Sequence, residues 1–217
     1  MIIGPKYKIC RRLGSRVFGK CETTKFSISG SGQMQKKPGG RRPKQLSEYG
    51  QQLLEKQKAR YTYLLKERQF ATYVKRVRDH RLDASAGETP NAVLYKALES
   101  RLDNVVFRLG LAPSRAAARQ MVTHGHIVVN GRRLNVPSHQ LKTSDVVAIR
   151  PQSLRLGIAK LTENNAATEN AQKGRSVPAW LSYNEEKREG KLVAAPLYGE
   201  MASDLNFGAI LEFYSRV

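Results

Sequence analysis

The fold is decided by residues 101–133, whose sequence is RLDNVVFRLGLAPSRAAARQMVTHGHIVVNGRR. Apolar residues first recur at the spacing of a helix that ends at Gly110, and a second helix is predicted to start after Ser114, its N-cap. From Ile127 the apolar period changes to two, and Asn130-Gly131 is the dipeptide typical of a two-residue hairpin turn. The stretch therefore predicts two helices followed by a β-hairpin.

The pattern continues on both sides of this stretch. Upstream, Thr89 and Pro90 are typical of an N-cap and a first helical position, so one helix is predicted from Pro90 to Leu109. Downstream, the apolar residues 146–149 predict a further strand. The order of helix, turn, helix, hairpin and strand indicates a compact α+β module, which we assign to residues 91–160.

The N-terminal part of the chain divides into an arm and a helical part. Residues 1–45 are predicted to form an extended basic arm, because Gly, Ser, Pro, Lys and Arg dominate them and cannot build a core. Residues 46–90 are predicted to be helical. One helix starts after Ser47 as its N-cap, and another spans about residues 66–80 with an apolar stripe along one face.

The C-terminal tail, residues 161–217, is expected to pack back on the N-terminal domain. Its first part, residues 161–175, is polar and suits a linker or a surface helix. Strands are predicted at residues 180–183, 191–193 and 210–214. The fold class predicted for the whole chain is therefore α+β.

The net charge of the chain limits its possible functions more than any other feature of the composition. The chain has 38 Lys and Arg against 18 Asp and Glu, a formal net charge of +20. Residues 1–90 carry 21 basic and 7 acidic side chains, residues 91–160 carry 11 and 3, and residues 161–217 carry 6 and 8. A solvated basic face is the simpler interpretation, but self-repulsion at this level favours a polyanionic partner. The first two parts are expected to face that partner, and the tail to face protein or solvent.

Several classes of protein are not expected. No apolar run is long enough to span a membrane, and the first residues do not resemble a signal peptide. Two cysteines, Cys10 and Cys21, do not make a disulfide framework, so a reducing compartment is expected. Zinc is not expected either, because these cysteines are neither paired nor closely spaced.

Enzymatic patterns are also missing from the sequence. Residues 14–21, GSRVFGKC, nearly match a phosphate-binding loop, but Cys21 stands where magnesium needs Ser or Thr, and no strand precedes the loop. His124 and His126 lack a third metal ligand nearby in sequence, and hydrogen bonding to RNA or backbone suits them better. No catalytic residue, metal or cofactor is therefore predicted.

The basic positions of the module are more informative. Arg115 and Arg119 are four residues apart and share one helix face. Arg108 lies near the end of the preceding helix, and Arg132 and Arg133 follow the hairpin turn. Together they could bracket a ribbon of phosphates, which arginine forks bind with two hydrogen bonds. Ordinary surface arginines are the alternative, and the scarcity of acids in the module favours RNA.

These residues resemble a known RNA-binding module. The segments that carry the resemblance are 101–110 (RLDNVVFRLG), 114–115 (SR), 118–120 (ARQ), 124–127 (HGHI) and 129–131 (VNG). They closely resemble the module named after ribosomal protein S4, which also occurs in pseudouridine synthases and tyrosyl-tRNA synthetases. The module by itself therefore leaves the function open.

The flanking segments narrow the resemblance to one family. Residues 47–50, 55–60 and 67–70 look like the first domain of bacterial-type ribosomal protein S4, and residues 178–181 and 212–215 resemble its tail. The family implies a monomer within the small ribosomal subunit, in a cytoplasmic or organellar ribosome. Members bind the 5′ domain of ribosomal RNA early in assembly, line the channel by which mRNA enters, touch small-subunit ribosomal protein five and influence decoding accuracy.

The resemblance also implies site residues. Those expected to bind ribosomal RNA are Lys56, Lys58, Arg60, Arg68, Arg101, Arg108, Ser114, Arg115, Arg119, Gln120, His124, His126, Asn130, Arg132 and Arg133. The basic arm that would meet mRNA is Arg41, Arg42 and Lys44.

Two segments of the chain depart from the family pattern. Residues 38–41 shorten the usual Pro-Gly-Gln-His-Gly segment, and Tyr7 stands where zinc-binding members have a partner for Cys10.

Two rival functions make different predictions. An RNA-modifying or RNA-ligating enzyme with this module as an accessory would need a catalytic domain, for which residues 1–90 are too basic and irregular and residues 161–217 too few. A helix–turn–helix DNA regulator is suggested by the turn at residues 109–113, but the hairpin that follows argues against it. Competition between duplex DNA and structured RNA would separate that regulator from an RNA binder.

Overall fold

The structure, a computed structural model, describes residues 4–21, 46–79, 87–155, 177–184, 188–199 and 205–216. The predicted mRNA-facing residues Arg41, Arg42 and Lys44 and the predicted linker lie outside the described residues. Contacts divide the chain into two compact units. We call residues 1–76 with 203–217 the N-terminal unit, and residues 77–202 the module unit.

The elements alternate between helices and short strands. In chain order they are α1 (Lys6–Leu13), a 3-10 turn (Gly19–Cys21), α2 (Glu48–Thr62), α3 (Glu67–Arg78), α4 (Pro90–Glu99), α5 (Leu102–Arg108), α6 (Arg115–Thr123), β1 (Ile127–Val129), β2 (Arg132–Arg133), β3 (Val146–Ile149), α7 (Pro151–Arg155), β4 (Leu181–Asn184), β5 (Glu189–Leu192) and α8 (Phe207–Ser215). The predicted α+β class is confirmed. In the part of the chain that the structure describes, no helix is both long and apolar enough to cross a bilayer.

The prediction of an irregular N-terminal arm is wrong for α1. Cys10 and Leu13 are three residues apart, both are buried, and Gly14 ends the helix with a φ of 63°. Cys10 packs in a small cluster with Phe18 and Cys21. A few apolar residues at helical spacing are therefore enough to order this segment, although the composition of residues 1–45 as a whole suggests otherwise.

Helices α2 and α3 match their predictions closely. Ser47 caps α2, because its Oγ accepts a hydrogen bond from Gly50 N at 3.2 Å. The apolar stripe of α3 is buried, with Phe70, Val74 and Val77 all below a tenth exposed.

The predicted strand at residues 210–214 is wrong, since these residues lie in α8. Asn206 caps the helix, with its Oδ1 accepting from Ala209 N at 3.0 Å. Phe207, Ile210 and Phe213 are buried at a spacing of three, which gives α8 one apolar face. That face packs on α2, so the tertiary contact overrides the β-propensity of the segment ILEFY.

The single helix predicted from Pro90 to Leu109 is interrupted at Ser100 and Arg101. Leu102 N donates to the carbonyl of His139 at 2.9 Å, and Asp103 N donates to the carbonyl of Pro137 at 3.2 Å. These donors would otherwise bond to carbonyls one turn back in the helix. A loop that is distant in sequence therefore breaks the helix into α4 and α5.

The module unit contains a five-stranded antiparallel sheet in the order β2-β1-β3-β5-β4. The predicted strands at residues 127–129, 146–149, 180–183 and 191–193 are confirmed to within a residue or two. The tail is thus divided: β4 and β5 extend the sheet of the module, whereas α8 packs on α2. The predicted division of the chain into domains stays a prediction; its ranges are 1–45, 46–90, 91–160 and 161–217.

A close approach at Gly190 joins this sheet to α5. Gly190 lies in β5 opposite Val147, and a Cβ built on it would come 2.3 Å from Leu109 Cδ1, inside the core. We expect Gly190→Ala to lower the free energy of unfolding by about 1–3 kcal/mol through overpacking, measured by urea denaturation. Gly19→Ala is the control, because nothing lies within 4 Å of a Cβ at that position. Equal urea midpoints for the two variants would contradict the close approach.

Candidate nucleic-acid interface

A buried carboxylate, that of Asp103 in the first turn of α5, holds two arginines. Arg101 donates from Nε to Oδ1 at 3.0 Å and from Nη2 to Oδ2 at 2.9 Å. Arg119 reaches Oδ2 from α6, with Nε at 2.9 Å. The Arg101 side chain is 3% exposed and that of Arg119 is 26% exposed, so Arg119 is the member of the pair that reaches the surface.

A second buried carboxylate, that of Glu99, holds Arg108 directly and Arg115 through the side chain of Asn104. Arg108 donates from Nε to Oε2 at 3.0 Å and from Nη2 to Oε1 at 2.8 Å. Asn104 donates to Oε2 at 2.6 Å, and its own Oδ1 accepts from Arg115 Nε at 2.8 Å. The guanidinium of Arg115 also lies 4.4 Å from the centre of the Phe107 ring. Fixed partners at two or more points give these arginines defined orientations.

Arg101 is only 2% exposed, and its predicted RNA contact stays a prediction. The side chain fixes the position of Asp103, and through it that of Arg119. Arg108, Arg115 and Arg119 are partly exposed and remain suited to phosphate. Sequence spacing placed Arg115 and Arg119 on one face, but gave no sign of the two acids beneath them.

The hairpin carries exposed charge and a structural asparagine. Arg132 and Arg133 form β2 and are both exposed. Asn130, at a φ of 50°, is held by two bonds: its Nδ2 donates to Asp145 at 2.8 Å, and its Oδ1 accepts from Val146 N at 2.9 Å. Asn130 therefore fixes the turn that presents the two arginines.

Two histidines lie at the junction of α6 and β1. The ring centres of His124 and His126 are 5.9 Å apart, and Arg133 Nη2 donates to the carbonyl of His124 at 3.3 Å. Partial burial lowers the pKa of His126, and the nearby side chains of His124, Arg133 and Arg150 lower it further. The junction therefore concentrates positive charge.

Two other predicted residues of the module lie on α6. Ser114 is exposed and caps the helix through Ala117 N, and Gln120 is exposed further along α6.

In the N-terminal unit the four predicted residues differ in exposure. Lys56 is buried, donates to Glu67 at 2.8 Å and lies 4.4 Å from the Phe213 ring, so it contributes to the packing of α8, and its predicted RNA contact stays a prediction. Lys58 and Arg60 are partly buried, and Arg68 is exposed.

Exposed basic residues outside the predicted RNA-binding set also lie in this unit. On or next to α1 they are Lys8, Arg11, Arg12 and Arg16, and on or next to α3 they are Lys66, Lys75 and Arg76. Lys75 and Arg76 follow Arg68 by seven and eight residues, so all three share one helix face. A helical pattern over Lys6–Leu13, with Cys10 and Leu13 inside, would have revealed the face of α1.

The structure gives no indication of a metal site in the residues that it describes. Cys10 and Cys21 are both buried in the small cluster beside α1. Within the described ranges, no three His, Cys, Asp or Glu side chains are grouped closely enough to share an ion.

Comparison with known proteins gives matches over nearly the whole chain. The family model described as "S4 domain" matches residues 100–147, and that described as "Ribosomal protein S4/S9 N-terminal domain" matches residues 1–95. A protein of Christiangramia forsetii named "Small ribosomal subunit protein uS4" is 42% identical over 213 residues, 98% of each chain. Proteins of the same name from Chromobacterium violaceum and Geobacillus stearothermophilus are 41% and 40% identical, covering 99% and 98% of this chain and 98% of their own.

Proposed function

Because the chain belongs to the uS4 family of small-ribosomal-subunit proteins, we propose that it binds a junction of RNA helices in the 5′ domain of the small-subunit RNA and nucleates assembly there. As a member of this family it is a structural component of the small subunit that binds ribosomal RNA, and it is not an enzyme. The rival enzyme interpretation is thereby excluded.

The observation that carries the proposal is the support of the module's arginines by buried acids. Glu99 and Asp103 orient Arg108, Arg115 and Arg119, directly or through the side-chain amide of Asn104. Both carboxylates are themselves buried. Orientation lowers the entropy lost when a guanidinium binds phosphate. The surface therefore presents cations in fixed positions, which suits a folded polyanion.

The proposed mechanism is scaffolding. A-form RNA hides the edges of its bases in a deep, narrow major groove, so recognition relies on the shape of the backbone and on phosphates. The exposed arginines of the hairpin and the partly exposed arginines of α5 and α6 neutralise phosphates where RNA helices meet. Each phosphate contact releases condensed counterions, so affinity is expected to fall steeply as salt is raised.

The first test reverses a charge on the hairpin. We expect Arg132→Glu to weaken binding to a 5′-domain transcript about tenfold at low salt, and to make the slope of log K against log salt smaller by about one. Arg119→Glu is a poorer test, because it would set a second carboxylate beside the buried Asp103. Filter binding over a salt series measures both quantities.

Lys191→Glu is the matched control for this test. Lys191 is exposed on β5, which β1 and β3 separate from β2 in the sheet. The two variants change net charge equally, so a general loss of attraction would affect both. Equal affinities of the two variants would show that the hairpin does not contact the RNA. Tighter binding of the protein to duplex DNA than to the transcript would favour the DNA-binding rival.

The remaining features of the family extend the proposal. Arg41, Arg42 and Lys44 would line the channel by which mRNA enters, and the near-neutral tail would contact small-subunit ribosomal protein five and influence decoding accuracy. The protein would act as a monomer in a cytoplasmic ribosome, with an organellar ribosome as the alternative. Sedimentation of the protein with small subunits in a sucrose gradient would support this location, and sedimentation apart from ribosomes would contradict it.

A further inference from the structure

The junction between α6, the hairpin and α7 gathers side chains from four parts of the module unit. His124 and His126 come from the link between α6 and β1, Arg133 from β2, Arg150 from the end of β3 and Ser153 from α7. The backbone ties them together, since Arg150 N donates to the carbonyl of His126 at 2.8 Å. The junction therefore brings together side chains from separate elements of the module unit.

A glycine makes this arrangement sterically feasible. Gly125 has a φ of 74°, and a Cβ built on it would lie 2.1 Å from Arg133 Nε. The absence of a side chain lets the guanidinium lie against the backbone that links the two histidines. From there Arg133 donates to the carbonyl of His124 at 3.3 Å.

The charged groups that act on His126 are all basic. They are His124 at the end of α6, Arg133 on β2 and Arg150 after β3, while Ser153 on α7 offers a neutral hydroxyl at 3.0 Å from His126 Nδ1. Together with partial burial, these groups hold the pKa of His126 below its usual value. Among the described residues the groups whose charge acts on His126 are basic, so its protonation adds a like charge beside Arg133 and Arg150.

We propose that this junction is a binding site for one phosphodiester of the RNA backbone, and that binding is coupled to the uptake of one proton by His126. The inference rests on the proposed RNA-binding function and names the chemistry of one subsite within it. Arg133 and Arg150 supply the fixed charge. Once protonated, His126 donates from Nδ1 to Ser153 Oγ and from Nε2 to a phosphate oxygen, and the proton comes from solvent.

The direction of the pH dependence follows from linkage. The pKa of His126 is depressed in the RNA-free protein and is raised by an adjacent phosphate anion. The complex therefore binds more protons than the separate partners, so affinity rises as pH falls through the pKa of the complex. At pH values above the pKa of the complex, the gain in affinity from protonation of His126 is lost. At pH values well below the pKa of the RNA-free protein, this gain is constant.

The experiment measures affinity against pH for the full-length chain and a 5′-domain transcript at constant ionic strength. Between pH 8 and pH 5 we expect affinity to rise about three- to tenfold, the full effect of about half to one unit of pKa difference. His126→Gln is expected to reduce this change to less than about twofold. His139→Gln is the matched control, because it removes a histidine that lies outside the junction, next to Gln140. This variant should keep the wild-type pH dependence.

A second measurement does not depend on any variant being folded. The imidazole proton resonances of the wild-type protein report the pKa of His126 with and without the transcript. The proposal requires the pKa to rise on binding, and an unchanged or lower value would overturn it.

The possible failures are distinguishable. Normal binding with no pH dependence, or pH dependence that persists in His126→Gln, would overturn this inference and leave the proposed function standing. No binding to the transcript at any pH would instead overturn the proposed function itself.

Discussion

Replacing Asp103 with alanine is expected to lower the free energy of unfolding of the module unit by about 3–5 kcal/mol, because it removes the buried carboxylate with which the buried guanidinium of Arg101 is paired. Both side chains of this ion pair are at most 5% exposed, and the carboxylate accepts from two nitrogens of Arg101. Such a loss approaches the whole stability of a small domain. Urea denaturation, followed by the fluorescence of the buried Trp180, measures it.

Two further variants make this prediction specific. Glu48→Ala breaks the exposed ion pair with Arg216, whose side chains are 50% and 71% exposed, and should change stability by less than about 1 kcal/mol. The double variant Arg101→Met with Asp103→Leu removes both buried charges and should recover much of the loss. Wild-type stability of Asp103→Ala would show that the buried carboxylate does not anchor Arg101.

The second large effect is expected from ending the chain after Leu205, which removes α8. Phe207, Ile210 and Phe213 are buried, and a fully buried side chain of this size contributes roughly 1.5–3 kcal/mol. The truncation also removes the hydroxyl of Tyr214, which donates to Glu67 at 2.7 Å, and leaves Lys56 without its aromatic contacts. We expect α2 to lose its protection from hydrogen exchange.

The strands of the module unit serve as the internal reference for the truncation. This unit has its own core, which includes Val106, Ile127 and Val147, so β1 and β3 should keep their protection. A chain that lacks only residues 216–217 is the control, because α8 ends at Ser215. Wild-type exchange of α2 in the truncated protein would show that α8 does not stabilise it.

The polar contacts of α8 explain why residues so far apart in sequence depend on each other. Gln52 on α2 donates to Glu212 at 3.0 Å, and the backbone N of Asn206 donates to Glu55 at 3.1 Å. Burial raises the pKa of the Tyr214 hydroxyl, and the hydrogen bond to Glu67 raises it further, so the group remains a donor. Residues near the C-terminus therefore complete the packing of α2 and α3 in the N-terminal unit.

Local signals in the sequence were reliable where the determinants are also local. Thr89, Ser114 and the Asn130-Gly131 turn act through neighbouring backbone, and the structure shows each in its predicted role. The positions of the exposed hairpin arginines followed from the same turn. Charge pointed to a polyanion because net charge is a property of composition alone.

The sequence by itself determined the order of the module's helices and strands, its basic character and the family to which the chain belongs. Only the tertiary structure decided that α4 and α5 are separate helices, that residues 210–214 are helical, and that Arg101 and Lys56 are buried. Apart from Arg101, which pairs with Asp103 two residues away, the partner is distant in sequence: the carbonyls of Pro137 and His139, the face of α2, or a ring on α8. A free energy that depends on which distant groups meet in space cannot be obtained from periodicity along the chain.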